Sequence, residues 1–200
     1  MMPPRLSVVI PTQGRATLSR ALASIRDETQ PSDVEIVVVA DTHGPLLSEV
    51  AWTAAAYGAV YLEHDAGFHG YGHPQIAAGY RASSGTWLLA LGDDDEYLPG
   101  ALTLVADATQ TADRGVLLWR ITLYPSGSRR IGAPLTIWRE PELYVGNVSS
   151  QSIVVPNDPA KLGAYPPHST GDFDFIRETV ALWGGADQVV WWPEIIACLR

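Results

Sequence analysis

The chain carries one cysteine, Cys198, so no disulfide can close within it and a reducing compartment suits it. No window approaches the roughly 18 consecutive apolar residues of a membrane span. The opening Met-Met-Pro-Pro-Arg runs straight into an apolar stretch and leaves no room for a signal peptide, so the expectation is a soluble, cytoplasmic protein. Lysine is almost missing, with Lys161 alone against twelve arginines. Positive charge is scarce overall: 13 basic residues face 22 acidic ones, a net charge of −9. That balance argues against a broad nucleic-acid-binding surface, though not against a local basic patch. Internal repeats and long linkers are absent too. What remains is 200 residues, 46% hydrophobic and 18% charged, enough to bury one substantial core and read as a single domain over 1–200.

Short apolar runs alternate with helical patterns through the first half. Residues 6–10 form a β-branched run closed by Pro11, and 34–39 a second that leads into Ala40-Asp41. Between them Leu18, Ala21, Leu22 and Ile25 follow the i, i+3, i+4, i+7 spacing of a helix packed by one face. A helix over 46–57, a strand over 59–62 and a helix over 75–83 continue the alternation. The stretch 64–74 is too rich in glycine and histidine for regular structure. Residues 86–91 are apolar without helical period, as in a strand buried on both faces. This alternation predicts an α/β fold with a mostly parallel, doubly wound sheet. After a helix over 98–111 the character changes. Strands are expected at 116–123 and 153–155, a turn at 124–128 with a returning arm over 130–139, and a helix over 172–183. Two closing strands fall at 189–192 and 195–199.

Gly92 ends the central strand, and Asp93, Asp94, Asp95 and Glu96 follow at once. Pro99 is placed to open the next helix from its first turn. The acids therefore sit at the carboxyl end of a central strand, the edge where open α/β sheets bind ligands. Two carboxylates about 5 Å apart repel by roughly 3 kcal/mol at an effective dielectric near 20. A hard divalent cation reverses that sign, because magnesium-like ions take carboxylate oxygens together with substrate phosphates. The competing reading is helix capping, which needs only one such acid. Asp172 carries the same ambiguity, since on spacing alone it stands where a helix cap belongs. The histidines show no ligand spacing on a helix, and the tryptophans read as core.

Taken together, Val8-Val9-Ile10-Pro11-Thr12, the strand ending at Asp41, and Gly-x-Trp-Leu-x-x-Leu-Gly-Asp-Asp-Asp-x-x-x-Pro resemble family-2 glycosyltransferases, inverting enzymes with the GT-A fold. Gly171-Asp172 before an apolar helix is similar to that family's catalytic-base segment. The resemblance implies a nucleotide-sugar half over 1–115 and an acceptor half over 116–200, with Gly146-Asn147 facing the acceptor. It implies that Pro11, Thr12 and Arg15 line the base and ribose pocket and that Asp41 accepts a hydrogen bond from the base. Asp93 to Asp95 would hold the ribose and a Mn²⁺ or Mg²⁺ bridging the diphosphate, with Asp94 the principal ligand. Asp172 would be the general base. The donor implied is a UDP- or GDP-sugar, and the acceptor an unidentified hydroxyl.

The chain also departs from the family pattern. Gly92 replaces the first acid of the usual Asp-x-Asp-Asp run, and Ala40-Asp41 keeps one acid of a usual pair. Gly72-His73-Pro74-Gln75 continues as Ile76-Ala77 where relatives carry Arg-Asn. Gln75 would still meet the donor, His73 or Arg81 would stand in for the missing arginine, and His168 is a minor candidate for the metal or phosphate. Two rival functions are a sugar nucleotidyltransferase and a degenerate nucleotide- or glycan-binding module. Residues 12–15 are too short for the phosphate loop of the first, while Gly92, Ile76 and Ala77 keep the second open.

Overall fold

The computed structural model describes residues 5–27, 33–65, 71–112, 115–123, 135–137 and 140–199. The chain begins β1 (Leu6–Thr12), α1 (Leu18–Ile25), β2 (Val34–Asp41), α2 (Leu47–Ala56), β3 (Val60–His64), α3 (His73–Ala82), β4 (Trp87–Ala90). It continues β5 (Glu96–Tyr97), α4 (Ala101–Thr111), β6 (Val116–Leu123), β7 (Leu135–Ile137), β8 (Ile153–Pro156), α5 (Gly171–Trp183) and β9 (Val189–Leu199).

The strands join in the order β3-β2-β1-β4-β8-β6-β9-β5, with β7 on β6. The first four are parallel, in register Leu6↔Val34 and Leu6↔Trp87 across β1. The apolar runs of β1 and β2 are buried on both faces, and their alternation sorts them between two cores. Leu6, Val8, Ile10, Ile36 and Val38 pack with α1, α2 and α4. Val9, Val37 and Val39 pack with α3 and α5. The sheet is thus doubly wound, as the alternation of period-2 and period-3.6 segments requires. Helix α3 comes closest at Gly79, where a Cβ would lie 2.3 Å from a methyl of Val9.

The second half adds antiparallel pairings. β8 runs antiparallel to both β4 and β6, and β9 returns parallel to β6. β5 follows β4 by only five residues yet pairs with β9, Glu96 with Cys198 and Tyr97 with Ala197. The amide of Leu98 extends this clasp to the Ile196 carbonyl at 2.8 Å.

Three boundaries differ from the sequence pattern. Pro99 does not open α4: Gly100, at φ +74°, is its cap, and the residues before it form β5. α3 starts at His73 with Pro74 in its first turn, behind Gly72 at φ +78°. A side chain on Gly72 would also crowd Pro11. The two closing strands are one, β9, whose register against β6 shifts around Pro193, a residue with no N–H to give the ladder. β7 supplies the returning arm of the expected hairpin. Its turn at 124–128, the flanks of that arm and residues 66–70 of the glycine-rich stretch lie outside the described residues.

Candidate active site

A cavity of about 320 Å³ opens at the carboxyl edge of β1 and β4. The parallel strands deliver Pro11, Thr12 and the acid loop to it. Arg15 reaches in from the β1–α1 turn, His73 and Gln75 from the first turn of α3, and Asp172 from the first turn of α5. The antiparallel entry of β8 brings the short 3-10 turn before it, with Ser150 and Gln151, to the same wall.

The acid loop is held from several sides. Asp93 is buried, its Oδ2 accepting from the Thr12 hydroxyl at 2.6 Å and its Oδ1 from Arg15 Nη1 at 3.1 Å. The same guanidinium nitrogen donates to Asp94 Oδ2 at 2.5 Å. Arg20 donates to the Asp94 carbonyl at 3.0 Å and pairs with Glu96. Asp95 is buried, and its Oδ2 accepts from Gln151 Nε2 at 2.8 Å. Gly92 is explained by this crowding: a Cβ there would come within 2.5 Å of the Asp95 carboxylate and 3.2 Å of that of Asp94. The glycine at this position is what lets the Asp94 and Asp95 carboxylates fold back over the loop. None of these acids caps α4, whose cap is Gly100 with no side-chain bond.

Burial, ahead of the Thr12 and Arg15 bonds that oppose it, pushes the Asp93 carboxyl above the ordinary aspartate range. The folded chain therefore holds this proton more tightly than the unfolded chain. Stability contributed here is greatest below the ordinary aspartate value and is lost as pH rises through the raised one. Asp93→Asn removes that titration, and its amide can donate to the Thr12 hydroxyl while its oxygen still faces Arg15. The difference in Tm between variant and wild type should move in the variant's favour from about pH 3 upward, then level off above the raised value. Thermal scans across that range check it. A wild type that gains on the variant as pH rises contradicts the assignment.

At the opposite wall, Asp172 does not cap its helix either. The cap residue is Thr170, whose side chain makes no capping bond. The Asp172 Oδ1 instead accepts from the Ser150 hydroxyl and lies 3.1 Å from His73 Nε2. His73 is buried, with Nδ1 at 3.0 Å from the Pro166 carbonyl and its ring stacked 5.5 Å from Tyr165. Gly171 makes this possible, since a Cβ there would come within 2.4 Å of both His73 Nδ1 and the Pro166 carbonyl. Burial pushes the Tyr165 and Tyr80 phenols up, so both stay neutral behind the carboxylate.

Of the residues singled out in the sequence, Pro11, Thr12, Arg15, Gln75, Asp93, Asp94, Asp95 and Asp172 share this one cavity. Gln75 is buried, and its Oε1 has no partner among the described residues, as expected of a group awaiting a ligand hydroxyl. His73, singled out together with Arg81, also lines the cavity, whereas Gly146, Asn147 and three others lie off it. Asp41, at the end of β2, is buried and turned to His43, whose backbone N–H and Nδ1 lie 3.0 and 3.2 Å from its Oδ1. Arg81 is exposed in the last turn of α3, eight residues from His73, about 12 Å along the helix at 1.5 Å per residue. His168 is exposed and faces Thr170 and Asp174. Sequence reading missed Ser150, Gln151 and the His73–Asp172 contact. Pro74 was the available signal for His73, because a proline in a first helical turn puts the residue before it at the helix start.

Mn²⁺ or Mg²⁺ fits the acid loop in one specific way. Asp94 and Asp95 offer two carboxylates to the cavity, the number such an ion takes when phosphates and water complete its octahedron. Among the described residues no group of three or more His, Cys, Asp or Glu side chains gathers as a cation site. No helix among the described residues is long and apolar enough to cross a membrane.

Solved structures share this architecture. TarS of S. aureus aligns with 98% of this chain at a TM-score of 0.73 and 16% identity, and this chain covers 36% of it. The TarS fragment 1–349 gives 0.71 and 19%, with 98% and 60% covered. The mannosyltransferase PcManGT of Pyrobaculum calidifontis gives 0.64 and 15%, with 99% and 57% covered. This chain thus spans from about a third to three-fifths of their lengths, and the fold is the GT-A arrangement. Residues 7–165 match the model of Glycosyl transferase family 2, and the chain belongs to that family. A comparison with curated proteins gives no match.

Proposed function

We propose that this protein transfers a sugar, with inversion, from a nucleoside-diphosphate donor to an acceptor hydroxyl. The observation that carries the reading is the shared cavity: the acid loop of β4 and the Asp172 carboxylate line it together, and neither acts as a helix cap. Family membership sets the nucleotidyltransferase alternative aside. The packing of Gly92 against two carboxylates removes one reason to regard the site as degenerate.

In this reading Pro11, Thr12 and Arg15 receive the base and ribose at the end of β1. Asp41 stands behind them and meets the base only if it gives up His43. Asp93 holds the ribose side, and Asp94 and Asp95 hold the divalent ion. When bound, that ion stabilises the charge of the leaving diphosphate as a Lewis acid. Gln75 satisfies its lone oxygen on a donor hydroxyl. Arg81 and His168 serve the diphosphate or the ion only if their side chains move in from the rim. The acceptor oxygen bonds to the anomeric carbon as the carbon–phosphate-oxygen bond breaks, and Asp172 takes the acceptor's proton. Gly146 and Asn147 face the acceptor only in this reading, and Asn147 is buried with its amide donating to the Glu140 and Glu142 carbonyls.

TarS 1–349 is known in complex with UDP-GlcNAc and with UDP, and PcManGT with GDP-Man and Mn²⁺. These complexes support a UDP- or GDP-sugar as the donor and a divalent cation as the helper. A cytoplasmic location, where Cys198 stays a thiol, goes with this reading. The test is a panel of UDP- and GDP-sugars, scored for nucleoside-diphosphate release with water as acceptor, with Mn²⁺ or Mg²⁺ and with EDTA. Release from one donor, abolished by EDTA, is expected. No release from any donor overturns the reading.

A further inference from the structure

We propose that His73 is a positioning residue for Asp172, fixing one oxygen of the carboxylate so that the other faces the acceptor. The proposal rests on the reading of Asp172 as general base and adds how this chain holds that base.

The geometry is specific on both sides of the ring. Nδ1 lies 3.0 Å from the Pro166 carbonyl, an oxygen that only accepts, so Nδ1 carries a hydrogen. Nε2 lies 3.1 Å from Asp172 Oδ1, within hydrogen-bond reach of the carboxylate. The ring cannot swing away. It stacks on Tyr165 at 5.5 Å and on Tyr71 at 6.1 Å, and Gly171 closes over it without a side chain. Both groups that reach Asp172, His73 Nε2 and the Ser150 hydroxyl, meet Oδ1, and no hydrogen bond from a described residue reaches Oδ2. One oxygen is pinned and the other is left for chemistry. His73 is 4% exposed, whereas the Asp172 side chain is 24% exposed and lines the cavity, so the histidine backs the carboxylate. A carboxylate free to turn about its last bond would present its base oxygen in the right place only part of the time, and small misplacements near reacting atoms cost about 10- to 100-fold.

The test is a double-mutant cycle on nucleoside-diphosphate release from the UDP- and GDP-sugar panel, with enzyme in excess so that slow variants are still read. His73→Phe keeps a ring against Tyr165 and removes both ring nitrogens, and His73→Gln keeps one donor. His73→Phe is expected to lower kcat about 10- to 100-fold with donor KM unchanged, and His73→Gln to recover part of the loss. In an Asp172→Asn background His73→Phe should change the rate less than about twofold, because a residue acting through Asp172 has nothing left to position. An equal drop in both backgrounds marks a merely structural role and overturns the proposal. A wild-type rate in His73→Phe also overturns it. Asp172→Asn at the wild-type rate overturns instead the general-base reading on which the proposal stands. If His73→Phe does not fold, His73→Gln carries the same cycle: a loss in the wild-type background that vanishes beside Asp172→Asn supports the proposal, and equal losses overturn it.

Discussion

Asp172→Asn is expected to lower sugar transfer by about 10²- to 10⁴-fold, the usual contribution of a general base, and to leave nucleotide affinity near that of the wild type. The separation follows from where the carboxylate sits. It stands on α5, across the cavity from the acid loop, and its bonds run to His73 and Ser150 and not to any of the acids assigned to the ion. Asparagine keeps the shape and an acceptor oxygen for Ser150, and α5 does not depend on this side chain for its cap. Folding should therefore survive while proton acceptance is lost. Single-turnover rates with the active donor, set beside calorimetric titration of its nucleoside diphosphate, check both halves. An asparagine variant that turns over like the wild type assigns the proton to another group. One that loses nucleotide binding places Asp172 on the donor.

Asp94→Ala is expected to weaken nucleotide-sugar binding by about tenfold or more, a change of about 1.4 kcal/mol at least, and EDTA to do the same to the wild type. The two effects should not add, because each removes the same ion-mediated contact. Asp94 suits this test better than its neighbours for a physical reason. Asp93 and Asp95 are buried and hold Thr12 and Gln151, so their removal also disturbs the fold. The Asp94 side chain is 38% exposed, and its pair with the half-exposed Arg15 is of the kind worth about 0–1 kcal/mol to stability. Arg15 also keeps Asp93 as a partner when Asp94 is gone. Titration calorimetry with and without Mn²⁺, together with a melting curve, separates binding from folding. Binding that ignores both EDTA and the substitution removes the ion from the reaction.

The strands that face both cores were legible because burial on two faces leaves few polar positions along them, Ser7 in residues 6–10 and Glu35 in residues 34–39. Residues 6–10 and 34–39 became β1 and β2 with small extensions, and the helical spacing of Leu18, Ala21, Leu22 and Ile25 marks the buried face of α1. The acid loop was legible because three carboxylates after a strand-ending glycine are costly without a partner. What stayed hidden was set by contacts between distant residues. His73 and Asp172 are 99 positions apart, and neither carries local information about the other. Ser150 and Gln151 look like ordinary loop residues until β8 turns antiparallel and sets them against the acids. Gly92 reads as a defect in a family pattern and becomes intelligible only once its missing Cβ is measured against Asp95.

The clasp between β5 and β9 ties the lifetime of the donor site to a strand that carries none of its residues. Asp95 is followed directly by Glu96 and Tyr97, which are held by Cys198 and Ala197, with Leu98 held by Ile196. Along this stretch one edge of β9 is covered by that two-residue strand, while its other edge pairs with β6 from Val189 to Leu199. Local unfolding proceeds in contiguous units, and loops fixed to a fraying segment loosen with it. When β9 peels away, the acid loop loses its downstream anchor although β4, its upstream one, stays in the core. Fraying of the short β5–β9 pairing alone is then enough to loosen the acid loop from its downstream side.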